Sequence, residues 1–411
     1  MSERIVVTGM GAVTPIGVGV NSYWSALTSG KCGVRTITQY DVDELPVKIA
    51  AEVPDFHPED HMTKKLVNRT DPFTQYALAA AGEALKDIKI DNPERTGIVM
   101  GSAVNGIRTV TRDQERLTKT GNHRRVNPYL MPAFLANVTA AHIAIINKLN
   151  GPSLTVCTAC SSGVDAIGLA TEKLKADEAD MMVAAGAESI MCPLVIDSLH
   201  NLHALSANNE EPCRASRPFD KDRDGFVIGE GAGILILETL THAQKRGAAI
   251  LAEIVGYANL GSAFHVTAPE PNGRFESLCM KKALDKAGLH PADIDYINAH
   301  GTATPIGDRV EIKAMKRTFN HDLGRIPISS TKGATGHMMG AGGITEAITC
   351  IKVIEEGILP PTLNLETREP GCDDLDFVPQ KARNAEVNIA MTNSFGFGGQ
   401  NASLIIRRFE E

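Results

Sequence analysis

No apolar run in this chain reaches the roughly twenty residues that a helix needs to cross a bilayer, so a membrane-spanning helix is excluded. Positive charge is also short. Lys and Arg number 41 against 49 Asp and Glu, and the resulting formal charge of −8 argues against nucleic acid as the main partner. Low-complexity tracts, charge blocks and linkers are missing, so a division into independent domains finds no support. The only early glycine cluster, Gly9-Met10-Gly11, lacks the third glycine of a dinucleotide fingerprint. Cysteines are neither many nor clustered. Of eight, only Cys157 and Cys160 lie close together, and Cys32, Cys192, Cys213, Cys279, Cys350 and Cys372 supply no second pair for structural zinc. Met1-Ser2-Glu3-Arg4 runs straight into a strand and reads as no secretory signal, so the expectation is free thiols in a reducing cytoplasm. One tryptophan beside 37 glycines and 43% hydrophobic residues suits a packed α/β protein with many tight turns, long enough for a large two-part fold.

What is present centres on Val156-Cys157-Thr158-Ala159-Cys160-Ser161-Ser162-Gly163-Val164-Asp165. The run Ser153-Leu154-Thr155-Val156 reads as a short buried strand, and Asp165 to Ala176 carries Ile167, Leu169, Ala170 and Leu174 at helical spacing. Cys160 therefore opens a helix. Unpaired N–H groups and partial positive charge there favour thiolate over thiol, and the same N–H groups can hold an oxyanion. Packing as a small buried side chain is the other reading of Cys160, and from this segment alone the two stay open. A redox pair is disfavoured because Cys157 lies back in the strand.

Two later motifs supply what an acyl-transferring cysteine lacks. Asn298-Ala299-His300-Gly301-Thr302-Ala303-Thr304-Pro305-Ile306-Gly307-Asp308 follows the strand-like Asp295-Tyr296-Ile297 and places His300 at a strand end or in a loop. Ile328-Ser329-Ser330-Thr331-Lys332-Gly333-Ala334-Thr335-Gly336-His337 reads as strand, polar turn and then a small-residue helix, with Lys332 and His337 flanking the turn. Each of these side chains stands where a strand gives way to a turn, a usual place for functional groups.

With these motifs, the opening Ile5-Val6-Val7-Thr8-Gly9-Met10-Gly11, the segment from Ser216 to Phe226 and the closing Asn393-Ser394-Phe395-Gly396-Phe397-Gly398-Gly399, the chain resembles the β-ketoacyl-acyl carrier protein synthases over its whole length. Among them it is most similar to the elongating enzymes of type II fatty acid synthesis. The resemblance implies an α/β thiolase-like fold of two duplicated halves in five αβαβα layers, 1–250 with the cysteine and 251–411 with the histidines, lysine and Gly-Phe-Gly-Gly loop. It implies that Cys160 takes an acyl chain from the phosphopantetheine thioester of an acyl carrier protein, and that malonyl-carrier protein then condenses with it after losing carbon dioxide. His300 and His337 match the pair that holds the enolate oxygen, and Lys332 matches a buried lysine. Glu311, with Asp308 nearby, is the expected carboxylate partner of Lys332, since a buried lysine left alone tends to lose its proton. Phe397 matches the residue whose N–H completes the oxyanion site and whose ring gates the acyl tunnel, with Phe395 beside it, and Thr302 and Thr304 match contacts to the pantetheine arm. No cofactor of its own and no metal is implied; a homodimer is.

The duplication has a sequence trace. The segments around Cys160 and Lys332 share one plan, and each is followed by a glycine-rich strand opening on Gly-Phe, at Gly225 and at Gly396. Docking an acidic carrier protein needs a local basic patch, for which Lys64, Lys65 and Arg69 stand in the family's place. Where the family commonly has two arginines, His203 and Ala207 flank Ala204-Leu205-Ser206. In Gly101-Ser102-Ala103-Val104-Asn105-Gly106, Val104 and Asn105 match the loop that closes the tunnel and depart from its usual residues. These departures keep open a ketosynthase of a type II polyketide or polyene pathway, working with a chain-length-factor partner. A non-condensing scaffold, whose members lack the cysteine, is disfavoured by Cys160. A thiolase is disfavoured by the Gly-Phe-Gly-Gly loop.

Overall fold

The computed structural model describes residues 3–411; Met1 and Ser2, which open the N-terminal run read above, lie outside them. Ten principal strands fall into two sets of five. The first set is β1 (Ile5–Thr14), β2 (Thr96–Gly101), β3 (Ser153–Val156), β4 (Met181–Glu188) and β5 (Gly231–Thr239); the second is β6 (Ala252–Gly261), β7 (Tyr296–Asn298), β8 (Ile328–Ser329), β9 (Ile389–Gly396) and β10 (Gln400–Arg407). They lie in the order β3-β2-β4-β5-β1-β6-β10-β9-β7-β8. Taken from its outer edge inward, each set runs third, second, fourth, fifth, first. The pairing sense also matches: β5 is antiparallel to β1 and β4 while β4, β2 and β3 are parallel, and β10 is antiparallel to β6 and β9 while β9, β7 and β8 are parallel. The halves meet where Ile5, Val6 and Val7 pair with Ile254, Glu253 and Ala252.

Six helices complete the layers: α1 (Pro72–Ala84), α2 (Val138–Asn147), α3 (Ser162–Lys175), α4 (Arg274–Ala287), α5 (Gly307–Phe319) and α6 (Gly342–Glu356). Helices α3 and α6 touch each other and lie between the half-sheets, each packing on strands of both. Helices α1 and α2 cover the outer face of the first half, and α4 and α5 that of the second. This is the expected five-layered thiolase-like arrangement. Strands with helices on both sides should be apolar throughout, and all eight residues of β4, Met-Met-Val-Ala-Ala-Gly-Ala-Glu, are buried. The glycines of β1 serve the same packing. A Cβ at Gly11 would stand 1.9 Å from the Ala80 carbonyl oxygen, so α1 rests directly on the strand.

One reading of the first half needs correction. Strand β3 is not buried, because it forms the edge of the sheet and pairs only with β2; Ser153 and Leu154 are exposed. Helix α3 begins at Ser162, directly after the 3-10 turn that holds Cys160, so the cysteine stands at the start of the helix as its setting implies.

Candidate active site

The nucleophile candidate sits on a strained elbow. After β3 the backbone passes through Ala159 at φ 51°, a left-handed conformation uncommon for alanine, and Cys160 lies in the 3-10 turn Ala159–Ser161 that runs into α3. One buried carboxylate holds this turn. Asp165 accepts from the hydroxyls of Thr158 and Ser161, and its other oxygen takes Tyr257 Oη and Asn259 Nδ2, both at 2.8 Å, from β6. A fixed elbow leaves the cysteine little freedom except toward the second half.

The second half brings its groups to the same point. His300 lies two residues past β7, and Glu311 on α5 fixes its position by accepting the backbone N–H of His300 at 2.8 Å and of Gly301 at 2.7 Å. Lys332 opens a one-turn helix, Lys332–Thr335, that leads to His337. His337 Nε2 stands 3.0 Å from Cys160 Sγ, and the two imidazoles meet edge to face with centroids 5.3 Å apart. Neither Nδ1 has a hydrogen-bond partner among the described residues, so the two rings are held by packing and by the backbone turns that carry them.

Burial governs the charges here. It pushes the Cys160 thiol up to about 11, against the opposing pull of the Lys332 charge and the Phe397 and Cys160 N–H groups. The expected lowering by the helix terminus does not prevail, so the resting side chain is a thiol. Burial, seconded by Lys332, holds both histidines well below the ordinary imidazole range, and each is neutral near pH 7. Neutral N–H donors suit an oxygen that gains charge only during reaction. Cys160 and the two histidines also present ligand atoms within 4.8 Å of one another, a set of the kind that thiophilic ions take.

The reading of Glu311 and Asp308 as partners of Lys332 is overturned. Lys332 Nζ hydrogen-bonds Glu346 on α6 instead, both side chains being buried. Glu311 is occupied with the two N–H groups of the His300 turn, and Asp308 accepts the Phe219 N–H at 2.8 Å and the Ala303 N–H at 3.1 Å. Nothing local marks Glu346, which, fourteen positions beyond Lys332, reads as an ordinary helix residue. Arg223 is equally unmarked. It binds the carbonyls of Thr304 and Pro305 at 3.0 and 2.9 Å and pairs with Glu369 at 2.6 Å, so it holds the loop after His300. Glu188 is a third. It accepts Ala103, Val104 and Gly340 N–H groups and the Ser102 hydroxyl, tying the 101–106 loop to the turn after His337, and burial raises it to about 7.

The remaining candidates take the following places. A Cβ at Gly396 would lie 2.9 Å from the Cys160 nitrogen, so the Gly-Phe-Gly-Gly loop touches the elbow; Phe397 is 39% exposed. Phe395 is half-buried, its ring centroid 6.0 Å from that of His300. Thr302 and Thr304 hydroxyls lie 3.3 Å apart, and Thr304 also accepts the Gly307 N–H, the turn chemistry its composition implied. Val104 is partly exposed; Asn105 has φ 59° and a buried Oδ1 that takes no hydrogen bond among the described residues. Lys64 and Lys65 are exposed on a one-turn helix, while the Arg69 guanidinium stacks on Tyr129 at 4.1 Å. His203 and Ala207 are both exposed.

Comparison with known proteins accords with this geometry. A Coxiella burnetii protein named 3-oxoacyl-[acyl-carrier-protein] synthase 2 is 42% identical over 410 residues, covering 99% of each chain. Among solved structures, the ishigamide ketosynthase/chain length factor aligns with a TM-score of 0.93 and 34% identity over 100% of both chains. A type II PKS ketosynthase solved in complex with its acyl-carrier protein, bound to the hexaketide, aligns at 0.92 and 32%, again over 100% of both. The family model for the beta-ketoacyl synthase N-terminal domain matches residues 2–243 and that for the C-terminal domain residues 251–366. A cysteine on a strained elbow in one half, faced by two neutral histidines from the other, is thus the centre of a chain that belongs to the beta-ketoacyl synthase family.

Proposed function

We propose that this chain is an acyltransferase of fatty acid elongation that condenses an acyl chain held on Cys160 with malonyl-acyl carrier protein to give 3-oxoacyl-acyl carrier protein. The observation that carries this is the 3.0 Å approach of His337 Nε2 to Cys160 Sγ in a buried site also lined by the His300 ring and the Phe397 N–H. Cys160 sulfur attacks the acyl thioester carbonyl, the oxyanion is met by the Cys160 and Phe397 N–H groups, and the carrier thiol departs with the thiol proton. Malonyl thioester follows. As its carboxylate leaves as carbon dioxide, the bonding pair becomes an enolate whose oxygen accepts the Nε2 hydrogens of His300 and His337. The enolate carbon then displaces Cys160 sulfur. Burial, seconded by the Lys332 charge, keeps both rings neutral, so each can offer a ring N–H to the enolate oxygen without holding a full charge of its own before reaction.

Phosphopantetheine arrives on the carrier protein, docked at Lys64, Lys65 and Arg69, with Thr302 and Thr304 along the arm and Phe397 and Phe395 as gate. No helix of the described residues is long and apolar enough to cross a membrane, and a cytoplasmic enzyme is the reading adopted. A homodimer through the β3 edge fits the unpaired backbone there and the exposed Leu154, Ile145 and Ile146, 42%, 74% and 54% accessible. A second reading, a type II polyketide or polyene ketosynthase paired with a chain-length factor, is favoured by the unsatisfied Asn105 carbonyl near the tunnel loop and by His203 and Ala207 at the docking surface.

Intact-mass analysis after incubation with a panel of acyl-carrier proteins tests both. Wild type gains an acyl group that Cys160→Ala does not, and malonyl-carrier protein then elongates saturated chains. Loading of only polyenoyl or oxygenated chains moves the protein to the second reading, and no Cys160 adduct from any donor overturns condensation.

A further inference from the structure

Two cysteines that the reaction does not use meet across the fold. Cys32 follows the helix Val20–Thr28, and Cys213 lies in the one-turn helix Pro212–Ala215, 181 positions later. Their sulfurs share one neighbour, the Val34 carbonyl, at 3.9 Å from Cys32 and 3.3 Å from Cys213, and Cys32 Sγ lies 3.6 Å from the Cys213 carbonyl oxygen. Cys213 is exposed and Cys32 half-buried. Burial, then contact with the Cys213 thiol, pushes Cys32 up to about 12.

The pair sits against the catalytic turn. Gly33, next to Cys32, donates its N–H to the Ala334 carbonyl at 2.8 Å, and Ser216, three residues past Cys213, donates its hydroxyl to the Lys332 carbonyl at 2.7 Å. Asn364 Nδ2 ties the Cys213 and Ser216 carbonyls together at 2.7 and 2.8 Å. The segments bearing the two thiols are therefore the ones that clamp Lys332–Thr335 from either side.

We propose that Cys32 and Cys213 are a redox-modification site, closing reversibly to a disulfide in reaction with a low-molecular-weight disulfide, and that closure shifts the Lys332 turn and slows condensation. The exposed Cys213 attacks one sulfur of the oxidant as thiolate and expels a thiolate, which takes a proton. Cys32 gives its proton to solvent and displaces the second thiolate. Two protein thiols are oxidised and one small disulfide is reduced to two thiols. Two sulfurs that share the Val34 carbonyl as a neighbour need only a local rearrangement to close to the ~2.05 Å of the bond, and disulfides of reducing compartments are transient and regulatory.

The site itself does not depend on the condensing function; only the effect on rate rests on that reading. Full-length Cys160→Ala protein, which removes the reactive active-site thiol, is incubated with oxidised glutathione, digested without reductant and mapped by mass. A linked Cys32–Cys213 peptide pair, absent from Cys32→Ser and Cys213→Ser and present in Cys157→Ser, is expected. A glutathione adduct on Cys213 that Cys32 never displaces, or linkage to another cysteine, overturns the site. With Cys160 intact, oxidised wild type should lose condensation about tenfold and regain it with dithiothreitol, less than the roughly hundredfold that a 1 Å misplacement can cost. Cys213→Ser should lose none; equal loss in that variant assigns the effect to Cys160 and overturns the regulatory part.

Discussion

The two halves make the same turn and put different chemistry on it. In the first, β3 leads through Ala159 at φ 51° and Cys160 into α3; in the second, β8 leads through the Lys332 helix and Met339 at φ 45° into α6, with Gly340 in the place of Cys160. The elbows pack against each other. A Cβ at Gly163 would lie 2.8 Å from the Gly340 carbonyl oxygen, and one at Gly343 2.7 Å from the Val164 nitrogen. Duplication has thus kept a backbone device, the strained turn with glycine at its crossing, while the side chains diverged: a nucleophile on one elbow, and on the approach to the other a lysine and a histidine that serve it.

The comparison can be broken at several points. The largest effect belongs to the charge on the second elbow. Glu346→Ala leaves Lys332 buried without its anion, and a loss of about 3 to 5 kcal/mol is expected by denaturant unfolding. Adding Lys332→Met to Glu346→Ala removes the stranded charge and should recover part of that loss; if the double variant is no more stable than Glu346→Ala alone, the pairing assigned here is wrong.

At the crossing, Gly163→Ala forces a methyl against backbone that has no side chain to yield, at a cost of about 1 to 3 kcal/mol. Gly82→Ala, on α1 with nothing within 4 Å of its Cβ, is the control and should not lower the melting temperature.

The effect most nearly cancelled by opposing groups is acid sensitivity. Both histidines sit well below their ordinary value of 6.5, so as pH falls below 6.5 the unfolded chain binds protons that the native site refuses. Their stability contribution is complete above pH 6.5 and drains away below it, by up to about 1.4 kcal/mol per pH unit for each ring. Glu188 and Glu311, raised to about 7 and about 8, act in the opposite sense over the same range. The readout is therefore the difference in slope between wild type and His337→Gln in thermal unfolding from pH 7 to 5. Equal slopes would mean that His337 titrates normally in the fold.

Much of the site was legible because it is local. The strand-turn-helix around Cys160, the placement of His300 past a strand and the repeated plan around Lys332 follow from apolar spacing and from glycine and small polar residues at the turns, which act over a few positions. The same local rules misjudged β3. Apolar content marks a strand, but whether it lies at an edge depends on which strands come to pair with it.

The sequence by itself determined the strand-to-turn settings of Cys160, His300, Lys332 and His337 and the doubled α/β plan, since each is written in residues near one another along the chain. Only the tertiary structure decided that Glu346 rather than Glu311 neutralises Lys332, that Cys160 rests as a thiol in spite of its helix, and that Cys32 meets Cys213. Those outcomes depend on desolvation and on contacts between segments far apart in the chain, and such energies exist only once the layers have packed.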